Sequence, residues 1–184
     1  MAQRATVYKA DLSVADVDRN YYAVHALTLA LHPSETETRM MVRLLAFALH
    51  ANAALEFGRG LSAEDEPDLW LTDPTGVIRL WIDVGLPDLR AVRKACGRAR
   101  QVVVLAYGDR KGAQWWAENA GEFARCRNLE VLAIDDADAD ALTAMAARSM
   151  KFSCTVQDGH LMLASEQRTM EFTPRRLVGT APSR

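Results

Sequence analysis

The sequence predicts an α/β fold with an additional antiparallel sheet, and three observations lead there. Gln101 to Tyr107 and Leu129 to Ile134 are short, continuous apolar runs, the pattern of strands buried on both faces. Helical patterns separate these runs from each other and from the strand before them, and strand, helix, strand implies a right-handed parallel crossover. The chain ends follow a different rule, with an N-terminal hairpin and a C-terminal meander of short strands that together suggest a second sheet.

Ala5 to Leu12 and Tyr21 to Leu31 are rich in β-branched, aromatic and small apolar residues and flank the polar connection Ala15 to Asn20, which makes the hairpin. A helix follows. Pro33 disfavours helix before it, Ser34 is a good N-cap, and Glu37 completes Ser-x-x-Glu; the helix is expected to run to about Glu56. At about 100° per residue its apolar stripe of Met40, Met41, Leu44, Leu45 and Ala48 has Glu37 in the middle and Glu35 opposite. Glu37 is therefore expected to point toward the core, either as the capping-box acid or as a ligand. Gly58-Arg59-Gly60 and the acidic Glu64-Asp65-Glu66 lead into a second hairpin, Pro67 to Gly85.

Pro87 and Asp88 suit the start of a helix through about Arg100, with Leu89, Val92, Ala95, Cys96 and Ala99 inward and Arg90, Lys94 and Arg98 outward. Gly112 to Phe123 reads as a helix bearing Trp115 and Trp116, and Asp136 to Met150 as an Asp-started, Ala-rich one. Phe152 to Val156, the Asp158-Gly159 turn, Leu161 to Ala164 and Thr169 to Phe172 form the meander, and the residues after Pro174 read as a frayed end.

The length of 184 residues suits one domain, 1–184, with a sizeable core. With 49% hydrophobic residues, 25% charged and a net charge of −2, the chain is neither disordered nor globally basic, so no nucleic-acid claim rests on net charge. Basic residues do crowd one stretch: Arg90, Arg93, Lys94, Arg98, Arg100, Arg110 and Lys111. No apolar h-region opens the chain and no run approaches the ~18 apolar residues of a membrane helix, so a cytoplasmic protein with no membrane partner is expected. Cys96, Cys126 and Cys154 lack Cys-x-x-Cys spacing, which argues for reduced core thiols rather than zinc.

The second hairpin carries the chemistry. Asp73-Pro74-Thr75-Gly76 suits a tight turn, and the reversal sets Thr72 against Val77, Trp70 against Arg79 and Asp68 against Trp81. Alternation then puts Asp68, Trp70, Val77, Arg79, Trp81 and Asp83 on one face, and Leu69, Leu71, Ile78, Leu80, Ile82 and Val84 on the other. Both faces are apolar enough to be covered, and a carboxylate there needs a partner, a cation or water. Asp68 and Asp83, diagonal neighbours roughly 7–8 Å apart at Cβ, are spaced to hold one divalent cation. The plain alternative is a solvated face. There is no Walker loop, Gly-x-Gly-x-x-Gly, Gly-x-Ser-x-Gly or His-Glu-x-x-His, so nucleophile and redox chemistry have little support. Glu37, Asp68 and Asp83, hard oxygen ligands without His or Cys, favour magnesium or manganese.

His32-Pro33-Ser34-Glu35-Thr36, Arg39-Met40-Met41, Arg43-Leu44-Leu45-Ala46, Glu64-Asp65-Glu66-Pro67-Asp68-Leu69-Trp70, Trp81-Ile82, Gly85-Leu86-Pro87-Asp88, Lys94-Ala95-Cys96 and Gln157-Asp158-Gly159 together resemble the YaeQ family of bacterial proteins. The resemblance spans nearly the whole chain. It implies a variant of the PD-(D/E)XK nuclease fold, a mixed sheet with flanking helices, and it indicates the fold better than an activity. Carried over, Pro67-Asp68 would be the Pro-Asp element, Asp83 the second acid and Glu37 the helix glutamate.

The third motif position, a lysine in such nucleases, is Gly85 here. Related enzymes can supply the lysine from the following helix, which points to Lys94, with Arg90 one turn earlier as the alternative cation. Lys94 falls on the polar flank, about 160° from Cys96, and must lean over on its stem, so a solvated surface lysine is an equal reading. If the site is live, the resemblance implies metal-assisted phosphodiester hydrolysis by Asp68, Asp83, Lys94 and Glu37, with Arg90, Arg93, Lys94 and Arg98 steering nucleic acid. The rival is a non-catalytic module that binds nucleic acid or protein on a decayed nuclease scaffold; another hydrolase using the same acids is a weaker third.

Overall fold

The computed structural model describes residues 5–59 and 65–179. Gly60 and Glu64, named above, and residues 180–184 of the expected frayed end lie outside the described residues.

Two mixed sheets form the frame. The first is five-stranded, in the order β10-β9-β8-β1-β2, with β1 (Thr6–Asp16), β2 (Tyr21–Leu31), β8 (Ser149–Gln157), β9 (His160–Ala164) and β10 (Thr169–Phe172). The meander and the N-terminal hairpin thus join as expected, but not as a purely antiparallel sheet, because β1 and β8 run parallel. Tight turns set the direction inside each hairpin; no turn links β1 to β8, so nothing local could set theirs. At the β8–β9 turn Asp158 (φ 53°) and Gly159 (φ 74°) adopt the left-handed pair a two-residue hairpin needs. Both amides donate to the Asp18 carboxylate at 2.7 and 2.8 Å, tying that turn to the β1–β2 turn.

The second sheet is six-stranded, β11-β7-β6-β5-β4-β3. It contains β3 (Leu55–Phe57), β4 (Leu69–Thr72), β5 (Ile78–Val84), β6 (Ala99–Tyr107), β7 (Leu129–Ile134) and β11 (Arg175–Val178). β5, β6 and β7 are parallel, connected through α2 (Leu89–Arg98) and α3 (Asp109–Phe123), as the crossover rule expects. Two elements differ from expectation. The run from Pro174 is not frayed over Arg175–Val178 but pairs with β7, where Arg176 Nε donates to Glu130 at 2.7 Å. The first helix, α1 (Glu37–Leu49), stops well short of Glu56, and Leu55–Phe57 becomes the edge strand β3. The last helix, α4 (Asp136–Thr143), likewise ends before Met150, which enters β8.

Layering explains the composition of α1. One core lies between the sheets and encloses α1 and α4; the other lies outside the six-stranded sheet, against α2 and α3. A helix between two sheets is apolar all round, and Met40 to Ala48 are all buried. Arg43 is among them, with its side chain 2% exposed. Its Nε and Nη2 donate to the two oxygens of Glu35 at 2.8 and 2.9 Å, and Nη2 also reaches the Ala30 carbonyl at the end of β2.

This corrects the expectation for the two glutamates. The N-cap is Thr36, which accepts from the Arg39 amide, not Ser34, so Glu35 precedes the helix and the helical phase does not apply to it. Glu35 is buried, whereas Glu37 is exposed and accepts from the Tyr8 hydroxyl at 2.7 Å. Of the three thiols, only Cys154 is a core residue; Cys96 and Cys126 are partly buried.

Glu35→Ala leaves the Arg43 guanidinium buried and unpaired, so it is expected to cost about 3–5 kcal/mol in urea unfolding. Glu37→Ala removes one hydrogen bond at the surface and is expected to cost no more than about 1 kcal/mol. Equal losses for the two would contradict this arrangement.

Candidate functional site

The hairpin of β4 and β5 begins from the predicted turn, with the Asp73 carboxylate taking the Thr75 and Val77 amides at 2.9 and 3.1 Å. Its register is not the predicted one. A bulge between Leu71 and Thr72 takes up residues at the turn, so Trp70 lies opposite Trp81, and Leu69 opposite Ile82. Continued by one residue, that register sets Asp68 against Asp83. A displacement of two residues keeps every side chain on its original face, so the shared face of Asp68, Trp70, Trp81 and Asp83 survives. Both sides of the hairpin are covered, with Leu69, Leu80, Ile82 and Val84 in the inter-sheet core and Trp81 in the outer one.

Gly58 permits this geometry. Its amide donates to the Asp68 carbonyl at 2.9 Å, and a Cβ there would stand 2.0 Å from the Pro67 carbonyl oxygen. Gly58→Ala is therefore expected to push the Pro67-Asp68 segment aside and lower the melting temperature, by an amount corresponding to about 1–3 kcal/mol.

Asp68, Asp83 and Lys94 come together. They line one pocket of about 260 Å³ with Arg39, Asp65, Glu66, Trp81, Val84, Leu86, Pro87 and Ala91. Asp68 is buried, at 6% exposure, and fully engaged on one side: Arg39 Nη2 donates to both its oxygens at 2.7 and 2.8 Å, and the Val84 amide to Oδ2 at 2.7 Å. Arg39 Nη1 donates to Glu35 at 2.9 Å, so Glu35 supports the site from behind.

Asp83 is partly buried and accepts from Trp81 Nε1 at 2.9 Å. Burial raises its carboxyl from the ordinary 3.8 to about 6; the Trp81 hydrogen bond opposes the rise and the Asp68 charge adds to it. Lys94 is about half exposed and paired with Asp65, and Arg98 donates to the Asp65 carbonyl while lying 5.2 Å over the Trp81 ring.

The structure does not bring Glu37 to this pocket, where it was expected as the third acid; its helix starts so that Glu37 turns toward Tyr8 on the other sheet. Arg90 and Arg93 do not line it either, and Arg93 pairs with Glu122 of α3. Sequence reasoning missed Arg39, Asp65, Glu66 and Gly58. A signal existed for the arginines, since Arg39 and Arg43 stand four and eight residues after Glu35, and a charge within the apolar run 40–48 requires a partner. Among the described residues no three His, Cys, Asp or Glu side chains cluster at metal-binding distance, and no helix is long and apolar enough to cross a membrane.

The raised Asp83 carboxyl has a sign. Its folded value lies above its unfolded one, so protonation favours the folded state, and the contribution present below about pH 4 is lost as pH rises through about 6. Asp83→Asn removes this loss. Relative to wild type, the variant is expected to gain up to about 3 kcal/mol between pH 4 and 7, less where pocket water screens the charge. Urea unfolding of both proteins across that range checks it, and a constant difference would refute it.

A family model described as YaeQ protein matches residues 1–174. Proteins named "Uncharacterized protein YaeQ" from Salmonella typhi and Escherichia coli (strain K12) are 46% and 44% identical over 171 residues, covering 93% of this chain and 94% of theirs. The crystal structure of the YaeQ protein from Xanthomonas axonopodis pv. citri superposes with a TM-score of 0.91 at 50% identity, covering 94% of this chain and 97% of that one. The YaeQ protein from Pseudomonas syringae gives 0.89 at 33% identity, with 96% and 97% covered. With the family model spanning nearly its whole length and the same fold in two bacterial relatives, this chain belongs to the YaeQ family.

Proposed function

We propose that this chain is a metal-dependent nuclease on a variant of the PD-(D/E)XK fold, in which Asp68 and Asp83 hold one magnesium or manganese ion and the substrate is a nucleic-acid phosphodiester. The observation that carries this reading is the convergence of Asp68, Asp83 and Lys94, from three separate segments, on one pocket. The donor set fits a hard cation. Asp65, Glu66 and Asp68 are paired with Lys94, Arg59 and Arg39 in turn, and among the described residues Asp83 is the pocket acid with no ion pair, the carboxylate a cation would meet first. Oδ1 of Asp68 accepts one of the bonds described above and keeps a lone pair for a ligand. Magnesium is commonly held by one or two carboxylates, the remaining positions being filled by water and substrate phosphate, so the loss of Glu37 from the set does not exclude it.

When bound, such an ion polarises a phosphoryl oxygen and acidifies water. The chain's own residues do the rest: the Arg39 and Val84 bonds hold the Asp68 carboxylate in place before any ligand arrives, and Trp81 orients Asp83. Lys94 at the pocket, with Arg90, Arg93 and Arg98 of the same helix, attracts the phosphate backbone. This reading carries a cytoplasmic location with it. Two observations favour a non-catalytic binding module instead: Arg39 already neutralises Asp68, and the third motif position is Gly85.

Calorimetric titration tests the metal site, and a cleavage assay separates the two readings. A single weak manganese or magnesium site is expected in wild type and is expected to vanish in Asp68→Asn with Asp83→Asn. Metal binding that survives the double substitution would remove the assignment. Metal-dependent cleavage of single-stranded DNA, double-stranded DNA or RNA is expected with it, and binding without any cleavage would favour the module.

A further inference from the structure

We propose that Arg39, rather than Lys94, is the cation that meets a substrate phosphate beside the two acids, filling the role left open by Gly85. The inference rests on the nuclease reading and names the residue that would recognise its substrate. Three observations carry it.

The first is position. Arg39 lines the same pocket as Asp68 and Asp83, and its side chain is 17% exposed, against 49% for Lys94. The guanidinium has five N–H donors, and its three bonds to Glu35 and Asp68 use at most three of them. None of the three uses Nε, so Nε–H and a hydrogen on Nη1 remain for the oxygens of a ligand.

The second is preorganisation. Glu35, whose side chain is 1% exposed, holds Arg39 from behind and is itself held by the buried Arg43. The guanidinium is therefore fixed in place at no entropic cost when ligand arrives. Lys94, by contrast, is engaged by the exposed Asp65 at the end of a flexible stem.

The third is that the motif lysine has no place in this backbone. Gly85 sits at φ 104°, a conformation side-chain-bearing residues rarely adopt, so a lysine there would be strained. The positive charge has to come from elsewhere, and α1 delivers it on the side of the acids.

The test uses the whole chain loaded with manganese near neutral pH, with thymidine 3′,5′-bisphosphate as the phosphate probe in calorimetry. Wild type is expected to bind it. Arg39→Lys, which keeps the charge but loses the Nε and Nη1 donors, is expected to weaken binding at least about tenfold, and Lys94→Ala less than about threefold. Manganese titration of each variant is the control, and Arg39→Lys is expected to retain metal.

The inference is overturned by Arg39→Lys binding as wild type does, by the larger loss falling on Lys94→Ala, or by wild type taking manganese but no bisphosphate. It is also overturned if Arg39→Lys folds yet loses manganese, because Arg39 would then serve only to hold Asp68. Absence of manganese binding in wild type overturns the nuclease reading and this inference together. A second measurement needs no variant: bisphosphate is expected to slow phenylglyoxal modification of Arg39 in wild type, and an unchanged rate overturns the inference.

Discussion

Glu35 is a buried carboxylate that holds two arginines, and the candidate site hangs on that arrangement. Arg43 carries it into the core between the sheets and reaches back to the end of β2; Arg39 carries it outward to Asp68, ahead of β4. One chain of charge thus fastens the N-terminal hairpin, the central helix and the six-stranded sheet at a single point. Charges in such a place are stable only as a set, because each is desolvated and depends on the next for compensation. The arrangement accordingly confers geometric definition more than net stability.

Its consequence is a pocket with two unlike acids. Asp68 is bound on both oxygens by an arginine and on one by a backbone amide, whereas Asp83 takes the Trp81 indole and the Asp68 backbone amide, no arginine, and its carboxyl is pushed up to about 6 by burial. Side by side on one sheet face, they differ because α1 reaches one and not the other. The hairpin supplies the acids, and the helix between the sheets sets how they behave.

Much of this was legible in the sequence. The apolar runs of β6 and β7 give themselves away because a strand covered on both faces has no polar side to show, and the helices with Asp or Pro at their starts are capped where local chemistry says. Asp68 and Asp83 were readable as a pair on one face even though the expected register was displaced by two residues, since a period of two is indifferent to such a shift. The helix starts two residues later than the capping pattern suggests, which leaves Glu35 in the connection before it and Glu37 in its first turn, and since Met40 to Ala48 are buried all round, a one-sided stripe does not locate the core.

The sequence by itself therefore determined most of the elements, the crossover order and the common face of the two acids, which follow from periodicity and from residues close together along the chain, while its spaced motifs pointed to the family by resemblance. Only the tertiary structure decided that β1 and β8 run parallel, that Arg175–Val178 completes the six-stranded sheet, that Glu37 turns away to Tyr8 and that Arg39 closes on Asp68. Each of these is a contact between segments distant in sequence. Such contacts are chosen by which buried charge or strand edge is left needing a partner once the layers have packed, and that need has no local signature.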